Sequence, residues 1–86
     1  MHEASLMRDL MARLLTVAAQ RGARRVVTVT VRLGALSHMS PAHFREHFEQ
    51  AARGTIAAGA ALETIVETDI RAPTAADVIL ETFEIE

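Results

Sequence analysis

The residues best suited to chemistry are the first three, Met1-His2-Glu3. A free α-amine, the amide nitrogen of residue 2 and the His2 imidazole can close adjacent chelate rings around one metal ion. Such nitrogen-rich, nearly planar ligation suits Ni(II) or Cu(II), and Glu3 can add an oxygen or orient the imidazole. The bulky His2 side chain also opposes removal of Met1. The pattern predicts a metal site at Met1, His2 and Glu3, although a solvated His and a helix-start Glu explain the same residues.

A second candidate site is the pair His43 and His47, four residues apart in a segment with helical periodicity. Residues at that spacing share one face of a helix, so the two imidazoles could hold a metal ion together. Glu46 and His38 are the third ligands available nearby. The same pattern describes a polar shoulder beside the apolar face of a helix, and from the spacing alone we favour this structural interpretation.

The composition excludes several other kinds of site. The 86 residues contain no Cys, which excludes disulfides, thiol nucleophiles and thiolate zinc sites. The net charge is −2 with acids and bases mixed along the chain, so no basic surface for nucleic acid is expected. Charges interrupt residues 1–20, which argues against a signal peptide, and no apolar run is long enough to span a membrane. We expect a soluble, cytoplasmic protein.

Periodicity and end signals predict five elements. They are a helix, a strand, a helix and two weaker strands, at 4–20, 25–33, 41–53, 61–70 and 77–86. Gly22 suits the end of the first helix, and Ser40-Pro41 is typical of a helix start. In the first strand Val27, Val29, Val31 and Leu33 alternate with polar residues, which gives one buried face.

The order α-β-α-β-β predicts a two-layer α+β fold in which two helices pack on a mixed three-stranded sheet. The strand–helix–strand crossover can be parallel. The short turn 71–76 favours an antiparallel hairpin between the last two strands. We expect one domain over residues 1–86. The third strand, left at a sheet edge, could pair with a second copy to form a homodimer.

Several short segments occur in an order that is more specific than any one of them. They are MHE at 1–3, SL at 5–6, RLGALS at 32–37, SP at 40–41, Phe44, Phe48 and Glu49, GT at 54–55, GA at 59–60, LE at 62–63 and FEIE at 83–86. Together they resemble the HypA/HybF family of hydrogenase nickel-incorporation proteins: spacing and order match over about the first 68 residues, and FEIE resembles the family's last strand.

The resemblance implies a nickel-binding protein whose key ligand is His2, with Met1 and Glu3 contributing further contacts. It implies delivery of Ni2+ to a [NiFe]-hydrogenase large subunit, and sometimes to urease, together with a HypB-like GTPase. Proteins of this family are chaperones and not enzymes. Because an imidazole must be neutral to bind a metal, we expect the affinity to fall below about pH 6.5.

One departure from the family is large. The family inserts a zinc domain with two CxxC pairs between its last two strands, whereas this sequence has Arg71–Ala76 there and no Cys. We therefore expect the zinc domain to be absent and zinc not to be bound. The departure leaves an alternative function open, in which the fold survives as a non-metal protein-interaction or scaffold module.

Overall fold

The computed structural model of the chain describes residues 3–86, except for the side chain of Glu3. Its elements are α1 (Glu3–Gln20), β1 (Val26–Leu33), α2 (Pro41–Ala52), β2 (Ala61–Val66) and β3 (Val78–Ile85). The two helices and the sheet share one apolar core, and the sheet is mixed. The α+β architecture and the order α-β-α-β-β are as predicted. Within residues 3–86 no helix has the length and apolar character needed to cross a membrane.

The helix α1 packs through an apolar stripe that recurs every three to four residues. The fully or almost fully buried members of this stripe are Met7, Leu10, Met11, Leu14 and Ala18. The chain leaves the helix at Gly22, whose φ of 69° places it in the left-handed region that favours glycine. There Ala23 N donates to Ala18 O at 3.0 Å, which satisfies a carbonyl of the last turn.

The helix α2 is fixed at both ends and along one side. At its start the Ser40 hydroxyl accepts a hydrogen bond from His43 N at 3.2 Å, which satisfies one of the free N–H groups of the first turn. Along its buried side Phe44 and Phe48 are 0% and 1% exposed. Gly54, with a φ of 74°, turns the chain away beyond the helix.

The central strand of the sheet is β1, which pairs with β2 in parallel and with β3 in antiparallel orientation. Its most buried side chains are Val26, Val29, Val31 and Leu33. The prediction that Val27 belongs to this buried face is wrong. The register with β3 shifts between Val26 and Thr28, and this irregularity turns Val26 inward in place of Val27.

The predicted hairpin between the last two strands is also wrong. The strand order is β2-β1-β3, so β3 pairs with β1 and the two strands occupy opposite edges of the sheet. The predicted strand 61–70 ends at Val66, and residues 67–77 carry the chain past the end of β1. This connection can reach across the two strand spacings of about 4.8 Å each that separate β2 from β3. It leaves the most buried strand, β1, in the centre, where both edges are paired.

The connection is held against the end of β1 by backbone hydrogen bonds. Glu67 N donates to Leu33 O at 2.9 Å, Gly34 N donates to Asp77 O at 2.8 Å, and Leu36 N donates to Ala75 O at 2.6 Å. A Cβ on Gly34 would lie only 2.2 Å from Ala75 O. Gly34 is therefore required by the close approach of two backbone segments.

Candidate metal centre

The principal ligands predicted from the sequence, Met1 and His2, lie outside the described residues, and so does the side chain of Glu3. The helix α1 begins at Glu3. The surroundings of this helix start are described from Ala4 onward.

The first turns of α1 face α2 across an open groove. The groove is lined by Ala4, Met7, Arg8, Met11, Ala12 and Leu15 of α1 and by His47, Gln50 and Ala51 of α2. The groove runs along α1 from Ala4 to Leu15, and His47 is the α2 histidine that lines it.

His43 and His47 are in direct contact on α2. Their Nε2 atoms are 2.8 Å apart, and their ring centroids are 4.6 Å apart with an angle of 19° between the ring planes. Because the nitrogens are much closer together than the centroids, both rings turn their Nε2 edges toward each other. His43 is exposed and His47 is half-buried. The prediction that the two residues share a face is confirmed.

Neither Glu46 nor His38 completes this pair as the sequence suggested. Over residues 3–86, no group of three or more His, Asp or Glu side chains is arranged to hold a metal ion. His38 lies in the loop before α2 and has a φ of 59°. Any metal ion bound by His43 and His47 therefore takes two ligands from the described part of the chain.

Sequence reasoning missed a charged cluster centred on Arg32 of β1. Arg32 Nη1 donates to Glu67 Oε2 at 2.9 Å, and Arg32 Nε donates to Glu81 of β3. The hydrogen bond and charge of Glu81, followed by those of Glu67, raise the pKa of the Arg32 guanidinium above its ordinary value. The cluster ties the edge strand β3 and the residue after β2 to the central strand. Its only signal in the sequence is one Arg within an otherwise Val- and Thr-rich strand.

Comparisons with known proteins agree on one family. A family model described as HypA, hydrogenase/urease nickel incorporation metallochaperone, matches residues 1–73. The hydrogenase maturation factor HypA of Archaeoglobus fulgidus is 40% identical over 72 residues, which are 83% of this chain and 66% of that protein. The protein of the same name from Methanopyrus kandleri is 37% identical over 67 residues, 78% of this chain and 47% of that protein.

The matched region therefore spans about half to two thirds of the length of these relatives. Among solved structures, the solution structure of the Ni metallochaperone HypA from Helicobacter pylori matches with a TM-score of 0.79. The match covers 99% of this chain and 97% of that one at 19% sequence identity. At 19% sequence identity the structural match shows similarity of the fold alone.

Proposed function

The chain belongs to the HypA family of hydrogenase and urease nickel-incorporation metallochaperones, and from this premise we propose that it carries Ni2+ on its first three residues. In this proposal nickel is the cargo of the protein and is bound without being chemically changed. The protein acts as a carrier in hydrogenase maturation and not as an enzyme.

The observation that carries the proposal is the position of Met1-His2-Glu3 in the chain. The family match begins at residue 1 and so includes all three residues. The helix α1 begins at Glu3, so the proposed ligands are joined directly to an element whose apolar stripe is buried in the core.

The chemistry follows from the donors that three residues can offer. The α-amine of Met1, the amide nitrogen and imidazole of His2, and the carboxylate of Glu3 provide nitrogen and oxygen ligands suited to Ni(II). A few donors at a chain terminus form an open site, which releases its ion more readily than a closed cage of protein ligands. A carrier needs such release because the nickel must pass to another protein.

The recipient and helper proteins are part of the same proposal. The resemblance implies a [NiFe]-hydrogenase large subunit as recipient and a HypB-like GTPase as partner. The chain has no Cys and joins β2 to β3 through residues 67–77, so we propose that it works without the zinc domain of the family. Pairing of two copies through an edge strand remains a prediction.

A calorimetric titration with Ni(II) tests the N-terminal site. The chain with its native N-terminus is compared with a chain that carries extra residues before Met1. The extension converts the α-amine into an amide, which removes one ligand and leaves every native side chain in place. We expect the native chain to bind one Ni(II) at this site and the extended chain to bind at least about tenfold more weakly.

Circular dichroism of the extended chain serves as the control that the fold is kept. Equal Ni(II) affinity of the two folded chains would contradict ligation by the α-amine. Absence of Ni(II) binding to the native chain would favour the alternative function, a protein-interaction module that keeps the fold.

A further inference from the structure

The pair His43 and His47 is distant in sequence from the first three residues, and its two imidazoles meet through their Nε2 atoms. Two Nε2 atoms that face each other at 2.8 Å cannot both present a lone pair without repulsion. The N–H proton of one imidazole relieves this repulsion through a hydrogen bond, and a metal ion bound to both nitrogens would do the same. We propose that His43 and His47 form a second metal-binding site, which holds a divalent late transition-metal ion such as Ni(II) through both Nε2 atoms.

The distance between the two nitrogens fits this class of ion. With metal–nitrogen bonds of about 2.0–2.1 Å, two ligands at a right angle stand about 2.9 Å apart, and two at the tetrahedral angle about 3.3 Å apart. The observed 2.8 Å is that of a hydrogen bond and lies near both separations, so small changes in the side-chain torsions bring both nitrogens within reach of one ion. Imidazole nitrogens suit Ni(II), Cu(II) and Zn(II).

The backbone that carries the pair is anchored in the core. His43 and His47 each precede a buried phenylalanine, Phe44 and Phe48, and these are 0% and 1% exposed. The amide of His43 also donates to the Ser40 hydroxyl that caps the helix. Both ligands are therefore attached to a fixed turn of α2, and little conformational freedom of the backbone is lost when a metal ion binds.

The site is open to exchange. In the part of the chain that the structure describes, no third His, Asp or Glu joins these two side chains. The remaining coordination positions are then filled by water or by ligands from outside residues 3–86. An ion held by two protein ligands binds weakly and leaves quickly.

The test uses the chain with extra residues before Met1, so that the proposed N-terminal chelate does not contribute. Ni(II) chloride is titrated while the imidazole signals are followed by nuclear magnetic resonance. With two imidazoles and water as its ligands, Ni(II) is octahedral and paramagnetic, and it broadens the signals of its ligands. We expect the signals of His43 and His47 to broaden first and those of His38 to broaden later.

Three variants of the extended chain supply the controls. H43A/H47A is expected to bind Ni(II) at least about tenfold more weakly, and H38A is expected to bind as the parent does. H47A/Q50H keeps the number of histidines but places the pair seven residues apart, about 10.5 Å along the helix, so it is expected to bind as weakly as H43A/H47A. If H43A/H47A or H47A/Q50H binds as tightly as the parent, or if the parent binds no Ni(II), the proposal is wrong.

Discussion

Replacing His2 by Gln is expected to weaken the tightest Ni(II) site by at least about a hundredfold. In the proposed site the imidazole of His2 closes a chelate ring with the backbone nitrogen of the same residue. Loss of the imidazole therefore removes one ligand and opens that chelate ring. The α-amine of Met1 and the carboxylate of Glu3 remain, and they cannot form the same nitrogen-rich set. Calorimetric titration of both chains with native N-termini measures the effect.

Gln is a better replacement than Ala at this position. A small residue at position 2 allows Met1 to be removed. The α-amine would then move to residue 2, and the measurement would combine this change with the loss of the imidazole. Gln is bulky enough to keep Met1 and is similar in polarity to His. His38→Gln is the matched control, since it removes an exposed imidazole from the loop before α2. An affinity of the His2→Gln chain within about twofold of the wild type would exclude His2 as the key ligand.

Replacing Gly34 by Ala is expected to lower the free energy of unfolding by about 1–3 kcal/mol. The added Cβ would lie 2.2 Å from Ala75 O and 2.6 Å from Thr74 O. These are backbone atoms of the connection between β2 and β3, so they cannot move aside as a flexible side chain would. Ala75 O also accepts the hydrogen bond from Leu36 N, and a shift of the connection would weaken that bond as well.

The sign of the change makes this prediction specific. Gly34 is not among the positive-φ glycines of the described chain, and at an unhindered position of this kind Gly→Ala stabilises a protein by about 0.4–1 kcal/mol. Thermal unfolding followed by circular dichroism should show a lower midpoint, by about 4–8 °C for each kcal/mol lost. An unchanged or higher midpoint would mean that the connection does not pack on Gly34 as described.

The elements that the sequence predicted well are those with local causes. The start of α2 depends on Ser40 and Pro41, which are adjacent to the helix they begin, and the end of α1 depends on Gly22. The alternation in β1 is equally local. Each signal acts within a few residues, so the periodic pattern was sufficient to place these elements.

The errors concern pairing between distant residues. The choice of β1 over β2 as the partner of β3 depends on the whole sheet, because only the central strand has both edges paired. The register shift between Val26 and Thr28 likewise depends on how β1 pairs with β3. Residues 67–70 were predicted to continue β2, but the chain leaves the strand after Val66, and Ile70 is 63% exposed. No local signal in the sequence marks any of these outcomes.

The candidate sites divide in the same way. The contact between His43 and His47 was predictable because helical geometry alone brings residues four apart together. The cluster of Arg32 with Glu67 and Glu81 was not, since it joins three parts of the chain that are distant in sequence. The site at Met1, His2 and Glu3 remains a prediction from the chemistry of its donors and from family membership.

The most direct test of nickel delivery is the nickel content of the [NiFe]-hydrogenase large subunit in the cells that produce this protein, grown at limiting nickel. Strains carrying the wild-type chain, His2→Gln or His38→Gln are compared, and each chain is quantified to verify equal amounts. We predict that the large subunit lacks most of its nickel only in the His2→Gln strain, and that added nickel salt restores the nickel content by mass action. A fully nickel-loaded large subunit in the His2→Gln strain at limiting nickel would contradict delivery from the N-terminal site.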